Sequence, residues 1–330
     1  MTDLRIAIIG AGIMGSGHAR YITNNVIGAR VVALADMDQA RISALATELG
    51  GDIELFADAE AFFAKPDVDG FIIASPDILH VPHPRLAMQR GLPTLCEKPI
   101  ATNVADAREI AGEINAQQKA TGKEIIHFGF MRRFDPAYLQ VRKLIESGDY
   151  GQPLFLRTVT RNTKTPGITT EGMITGMVVH EFDILRWLFN TEWKSMSADY
   201  PRRTTLSPDD LADPLLLTAH MQNGIVMQAD IMANSNYGYD VRTEIVCEKG
   251  AIEIGIQGDV TTKSNFVAEV SQGGVIADNW IPKFTAAYIG ELQAWVDGIR
   301  SGTPNGDLAT VADALAAAEA CQMGVAALKA

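Results

Sequence analysis

The sequence predicts an α/β domain built on a doubly wound parallel sheet, followed by an α+β domain. Three observations predict this. Between residues 5 and 128, short apolar runs alternate with helix-like segments. After Phe128 the order changes to helices followed by consecutive strand-like runs. Within that second region Asn223-Gly224 separates two such runs, a signal for an antiparallel hairpin with positive φ at both central residues.

The first domain is read from Ile6 to Ile9, Val31 to Ala35, Phe71 to Ala74, Thr94 to Cys96 and Ile125 to Phe128. Strands apolar on both faces, with helices between them, imply a parallel sheet covered on both sides. The second domain opens with helices expected over Asp135 to Ser147 and near Gly172 to Phe189. Strands follow at Leu215 to Met221, Ile225 to Ile231 and Val241 to Cys247. The tail returns to helix over Phe284 to Ile299 and Leu308 to Leu328, with Gly-Thr-Pro-Asn-Gly between them. The expected division is residues 1–126 and 127–330, which suits a 330-residue chain of 47% hydrophobic content.

Composition narrows the function. A net charge of -12 gives no electrostatic reason to approach nucleic acid or an anionic membrane. The three cysteines, Cys96, Cys247 and Cys321, are far apart and form no C-x-x-C, so neither a disulfide framework nor a zinc site is expected, and a reducing cytoplasm fits. The apolar run Ile6 to Ile9 is cut at once by Gly10 and Gly12, too short for a signal-peptide core or a spanning helix. His80 and His83 are separated by Pro82 with no acidic or thiol partner at ligand spacing, and no metal is expected.

Gly10-Ala11-Gly12-Ile13-Met14-Gly15 follows the first strand directly and opens a helix, while Asp36 ends the second strand. The first glycine permits a tight turn, the second lets backbone amides approach a pyrophosphate, and the third lets helix and strand pack closely. A dinucleotide-binding Rossmann domain follows from that placement. The Asp36 carboxylate can accept ribose hydroxyl hydrogen bonds and would repel a 2′-phosphate, so NAD is expected over NADP. Two alternatives stay open: Asp36 caps the next helix, or Arg41 receives a phosphate.

Ligands of open α/β sheets bind outside the carboxyl ends of the strands, and there the run Thr94 to Cys96 continues into Glu97-Lys98-Pro99. Removing a hydride from a secondary alcohol requires a protein group to take the hydroxyl proton. Lys98 is a candidate if desolvation lowers its pKa; as a solvated loop residue it has no such role. His180 lies in a mostly apolar helical stretch, where a hydrogen-bonded core histidine is the usual reading.

The Gly-rich turn, Glu97-Lys98-Pro99, Gly129-Phe130-Met131-Arg132-Arg133-Phe134-Asp135 and His180-Glu181-Phe182-Asp183-Ile184-Leu185-Arg186-Trp187 together resemble the Gfo/Idh/MocA oxidoreductases, especially their inositol 2-dehydrogenase branch. Arg161-Asn162 and Tyr237-Gly238-Tyr239-Asp240 are similar to that branch as well. The resemblance implies an open, mainly antiparallel second sheet that carries the substrate pocket and packs in homo-oligomers, tetramers or dimers. It implies Lys98 as catalytic lysine, His180 as the histidine that takes or relays the hydroxyl proton, and a cis Lys98-Pro99 peptide aiming the lysine at the substrate. Met131, Arg132, Asn162 and Tyr237 or Tyr239 are the implied substrate contacts. Ser75, Pro76 and His80, with Ile13, Met14, Met37 and Glu97, are the implied neighbours of NAD.

Gly176 stands where family members usually carry an aspartate one helical turn before the histidine. Either Lys98 with His180 suffices, or another acid enters the site, for which Glu171, Glu181 and Asp183 are candidates; the glycine also makes room for a differently shaped substrate. Thr160 stands where inositol dehydrogenases often have a histidine. The function expected is NAD-dependent oxidation of a secondary ring hydroxyl, on an inositol or sugar-like polyol, to a ketone. The alternatives are a sugar or keto reductase, a cycle with tightly held NAD, and a non-catalytic NAD(H)-binding regulator.

Overall fold

The computed structural model describes residues 2–65, 67–255, 260–264, 267–268 and 277–329. The chain forms two compact units, Met1–Met131 with Ala287–Ala318, and Arg132–Ala286 with Glu319–Ala330.

In the first unit, strands and helices alternate: β1 (Leu4–Ile9), α1 (Ile13–Asn24), β2 (Ala29–Ala35), α2 (Gln39–Leu49), β3 (Glu54–Phe56), α3 (Ala59–Ala64), β4 (Gly70–Ile73), α4 (Pro82–Arg90), β5 (Thr94–Glu97), α5 (Val104–Thr121) and β6 (Ile126–Gly129). The sheet has the order β3-β2-β1-β4-β5-β6, parallel throughout, with its switch point between β1 and β4. Burial on both faces explains the unbroken apolar runs: Ile6, Ala7, Ile8, Phe71, Ile72 and Ile73 are all at most 1% exposed.

The first unit also takes a late stretch of chain, which a single boundary at residue 126 did not foresee. Leu292, Trp295 and Val296 of α9 (Trp280–Ser301) are buried. A Cβ on Gly70 would fall 2.9 Å from the Trp295 ring, so glycine lets this helix approach β4. Beyond it, Phe128 donates its N–H to the Ala309 carbonyl at 2.9 Å, which covers the edge of β6.

The second unit contains α6 (Pro136–Ser147), β7 (Pro153–Arg161), α7 (Thr170–Gly172), a π-helical segment (Met173–Val178), α8 (Val179–Phe189), β8 (Trp193–Asp199), β9 (Leu215–Met221), β10 (Val226–Met232), β11 (Asp240–Cys247), β12 (Gly250–Ile254), β13 (Val260–Ser264) and β14 (Val267–Ala268). The last helix of the chain is α10 (Val311–Ala327). Among the described residues, eight strands form one sheet, ordered β14-β13-β12-β11-β7-β10-β9-β8, in which only the β7–β10 pairing is parallel. Its two faces differ: Leu215, Leu217, Ala219 and Met221 of β9 are buried, whereas Leu216, on an alternate position, is 41% exposed.

The hairpin at Asn223-Gly224 forms, but its turn differs from expectation. Gly224 has φ +91° and Asn223 is not in the positive-φ region. Met221 donates to the Ile225 carbonyl at 2.9 Å around a loop of residues 222–224, so one glycine in the left-handed region suffices where a two-residue loop would need two.

Candidate active site

The turn after β1 is shaped for close backbone approach. A Cβ on Gly10 would lie 2.3 Å from the Ala74 carbonyl, and one on Gly15 would lie 1.7 Å from the Gly10 carbonyl. At Gly12 nothing lies within 4 Å. Gly12 is also the N-cap of α1, with no side-chain cap and no acidic residue in the first turn. The helix terminus therefore has open space at Gly12 and no acidic side chain in its own first turn, which fits the pyrophosphate of a dinucleotide. Ile13, 66% exposed, and the half-buried Met14 flank it.

Asp36 follows β2 and holds two amides: Oδ2 accepts from Ala11 N at 2.7 Å and Oδ1 from Asp38 N at 2.9 Å. The cap of α2 is Asp38, which accepts from Arg41 N at 3.0 Å, so the capping alternative for Asp36 falls away. The Arg41 guanidinium is paired with Asp38 at 3.1 Å and lies 3.8 Å from Asp36. Two carboxylates thus meet the Arg41 cation, the candidate for receiving a 2′-phosphate. Met37, beside them, is 92% exposed.

A polar network ties together the ends of β4 and β5. His80 is 1% exposed, its Nε2 lies 2.8 Å from the Ser75 carbonyl, and its Nδ1 lies 2.7 Å from the Pro99 carbonyl. Both partners are acceptors, so both nitrogens donate only in the imidazolium form. His80 is therefore an internal clamp on the cis Lys98-Pro99 turn. Ser75 Oγ lies 3.0 Å from His83 Nδ1, and Pro76 is exposed.

Glu97, the last residue of β5, is buried, and its Oε1 lies 2.7 Å from His18 Nε2. Burial alone would push this carboxyl up, but the His18 hydrogen bond and the charges of His18, Lys98 and His80 hold it below the usual range. Lys98 itself is half-buried. Sequence reasoning missed His18. Its signal was available: His18 shares the buried stripe of α1 with Gly15, Ala19 and Ile22, and a histidine on an apolar stripe needs a polar partner.

In the second unit, His180 lies half-buried at the start of α8. Gly176 lies in the π segment, a feature frequent at functional sites, and a Cβ there would meet nothing within 4 Å. Among the candidate acids, Asp183 accepts two hydrogen bonds from Arg133, and exposed Glu171 pairs with Lys329. Glu181 Oε1 accepts from Arg132 at 2.6 Å and from Thr160 Oγ1 at 2.7 Å, while its Oε2 is buried without a partner among the described residues.

Arg132 and Arg133 are both 2% exposed, which removes surface solvation as their explanation. The Arg132 guanidinium also lies over the Phe284 ring, 5.1 Å from its centroid. Tyr239 is buried beside it, and burial pushes its phenol up to about 12. Tyr237 is 46% exposed; its hydroxyl accepts from Arg161 and donates to Asp240. Asn162 Nδ2 donates to Thr165 Oγ1 at 2.9 Å, and Met131 of the first unit is buried. The structure thus gathers Gly10, Gly12, Gly15, Asp36, Ser75, Glu97 and Lys98 at the carboxyl edge of one sheet, and Arg132, Thr160, Glu181 and Tyr239 around one buried cluster of the other unit.

Residues 4–122 match the profile of an oxidoreductase family with an NAD-binding Rossmann fold, GFO_IDH_MocA, and residues 138–253 match the GFO/IDH/MocA C-terminal domain. Inositol 2-dehydrogenase 4 of Saccharopolyspora erythraea is 37% identical over 98% of this chain and 93% of its own length. Inositol 2-dehydrogenase of Klebsiella pneumoniae is 33% identical over 97% and 93%. The crystal structure of myo-inositol dehydrogenase from Lactobacillus casei in complex with NAD(H) and myo-inositol superposes with a TM-score of 0.89, at 26% identity, over 99% of this chain and 95% of that one.

Proposed function

Because the chain belongs to the Gfo/Idh/MocA family and is an NAD-dependent oxidoreductase, we propose that it oxidises a secondary ring hydroxyl of an inositol or sugar-like polyol to the ketone. The observation that carries this reading is the shared edge: the open Gly12 turn and Lys98 stand at the carboxyl ends of β1 and β5 in one parallel sheet. The pyrophosphate is held by the amides of Gly12, Ile13 and Met14, and the adenosine ribose by Asp36. Bound NAD supplies the hydride acceptor. Lys98 is the catalytic lysine and His180 takes or relays the one hydroxyl proton, and the His80 clamp on Pro99 holds the turn from which Lys98 projects. Met131, Arg132, Asn162, Tyr237 and Tyr239 form the substrate face.

The relatives named as inositol 2-dehydrogenases favour an inositol. Gly176 favours a shape different from myo-inositol, because open space stands where the family's usual aspartate would project. The test is NADH formation by purified protein with inositols, aldoses and sugar acids, with NAD and NADP in parallel, repeated with Gly176→Asp. Turnover with NAD and a gain on myo-inositol in the variant support the reading. Turnover only in the ketone-reducing direction would establish the reductase, and tight NAD binding without turnover of any substrate would establish the regulator; Gly176 is the observation that keeps the latter in view.

The assembly we propose is a homo-oligomer, a tetramer or dimer, joined through the sheet face that exposes Leu216. Light scattering on the purified chain decides it. We place the enzyme in the cytoplasm, a reading supported by three buried thiols, none of them in a disulfide. Among the described residues, no helix is long and apolar enough to cross a membrane.

A further inference from the structure

The amino-terminal edge of the parallel sheet, opposite the one that carries Gly12 and Lys98, holds a cavity of about 310 Å³. That volume is at the small end of ligand-binding cavities. Three glycines in its wall end three helices in the left-handed conformation: Gly91 after α4 with φ 63°, Gly122 after α5 with φ 69°, and Gly302 after α9 with φ 73°. Helix carboxyl termini carry the negative ends of their dipoles, and three of them converge here.

The side chains add to this field. Glu124 is half-buried in the wall, and its carboxyl is pushed up by burial and by the negative charge of Asp313. His127, on β6, is 4% exposed and lines the cavity with no hydrogen-bond partner among the described residues. Burial pushes its imidazole down to about 4, so at neutral pH it is uncharged and offers an acceptor lone pair. The Trp295 indole borders the same space. Lys123 also reaches the cavity but is exposed, where its ammonium stays in water.

We propose that this cavity is a second ligand site, separate from the dinucleotide turn, that takes a small organic cation: an ammonium group on a compact apolar body. Carboxylate, helix carbonyls, a neutral imidazole and an indole ring are the groups that recognise such a ligand. The proposal does not rest on the substrate or direction of the oxidoreductase reaction.

Choline is the probe. The full chain is titrated calorimetrically with choline chloride, and with choline's uncharged carbon isostere, at fixed ionic strength and with saturating NAD present and absent. The expected result is saturable choline binding that NAD leaves unchanged, with affinity about tenfold lower or worse for the isostere and for Glu124→Gln. NAD affinity of Glu124→Gln serves as the check that the variant is folded. Choline that fails to saturate, that is displaced by NAD, that binds no better than its isostere, or that binds Glu124→Gln as tightly as the native chain overturns the proposal.

Discussion

The Asp36 carboxylate accepts the amide of Ala11 at 2.7 Å, so the residue proposed to select the cofactor also holds the turn proposed to bind it. Asp36→Ser should therefore have two effects. Discrimination against NADP should fall, because the charge that repels a 2′-phosphate is gone and Arg41 loses one of its two carboxylate neighbours. NAD affinity should fall as well, by roughly tenfold, the order of one charge-assisted hydrogen bond. Dissociation constants for both cofactors check this; an unchanged preference contradicts the role given to Asp36.

Lys98→Met should lower kcat and kcat/KM together by roughly 10²–10⁴, the range for a lost proton-transfer group, with NAD affinity intact. His80→Gln should lower kcat less, because glutamine can still donate to one of the two carbonyls that the clamp holds. Steady-state kinetics with cofactor titration separates these outcomes from misfolding.

Arg132 tests whether the buried cluster serves stability or substrate. Removing its guanidinium leaves Glu181 charged and buried, a loss of about 3–5 kcal/mol when one partner of a buried pair is deleted. Arg132→Met should lower the urea midpoint substantially. A variant of native stability with a raised KM would make Arg132 a substrate contact first.

Part of the acid sensitivity should trace to His127, and part to His83, whose imidazole burial also pushes down to about 4. Its folded pKa, about 4, lies below the ordinary 6.5, so the unfolded chain binds the proton more readily and stability falls as pH drops through that window. Between pH 6.5 and 5 the loss from this group is about 2 kcal/mol. The His127→Leu variant should lose less stability than the native chain over that interval; equal losses would show that His127 is not held neutral.

Much of this was legible in the sequence, and the exceptions have physical reasons. The parallel strands announced themselves because both faces are buried, and the Gly10 turn because steric demands at Gly10 and Gly15 leave few alternatives. Strand β3 gave no signal: Glu54 and Leu55 are exposed, so no apolar run marks it. β7 alternates buried Leu156, Thr158 and Thr160 with Arg157 and Arg161, and two threonines on the buried face hid its period. The return of the chain to the first unit depends on the contact of Trp295 with Gly70, which no local pattern records. At the candidate site, the placement of the glycines, Asp36 and Lys98 directly after strands was readable. The partners of His18, Arg132 and Glu181 lie 79 and 49 residues away and became visible only in three dimensions.

The central claim, transfer of a hydride from a ring carbon to NAD, is tested most directly by isotope transfer. Purified protein is incubated with NAD and with inositols and aldoses carrying deuterium on every ring carbon, and the NADH formed is examined by mass spectrometry. The account predicts NADH that carries one deuterium from the substrate, formed far more slowly with Lys98→Met. NADH without the label, or no NADH from any of these substrates, would contradict it.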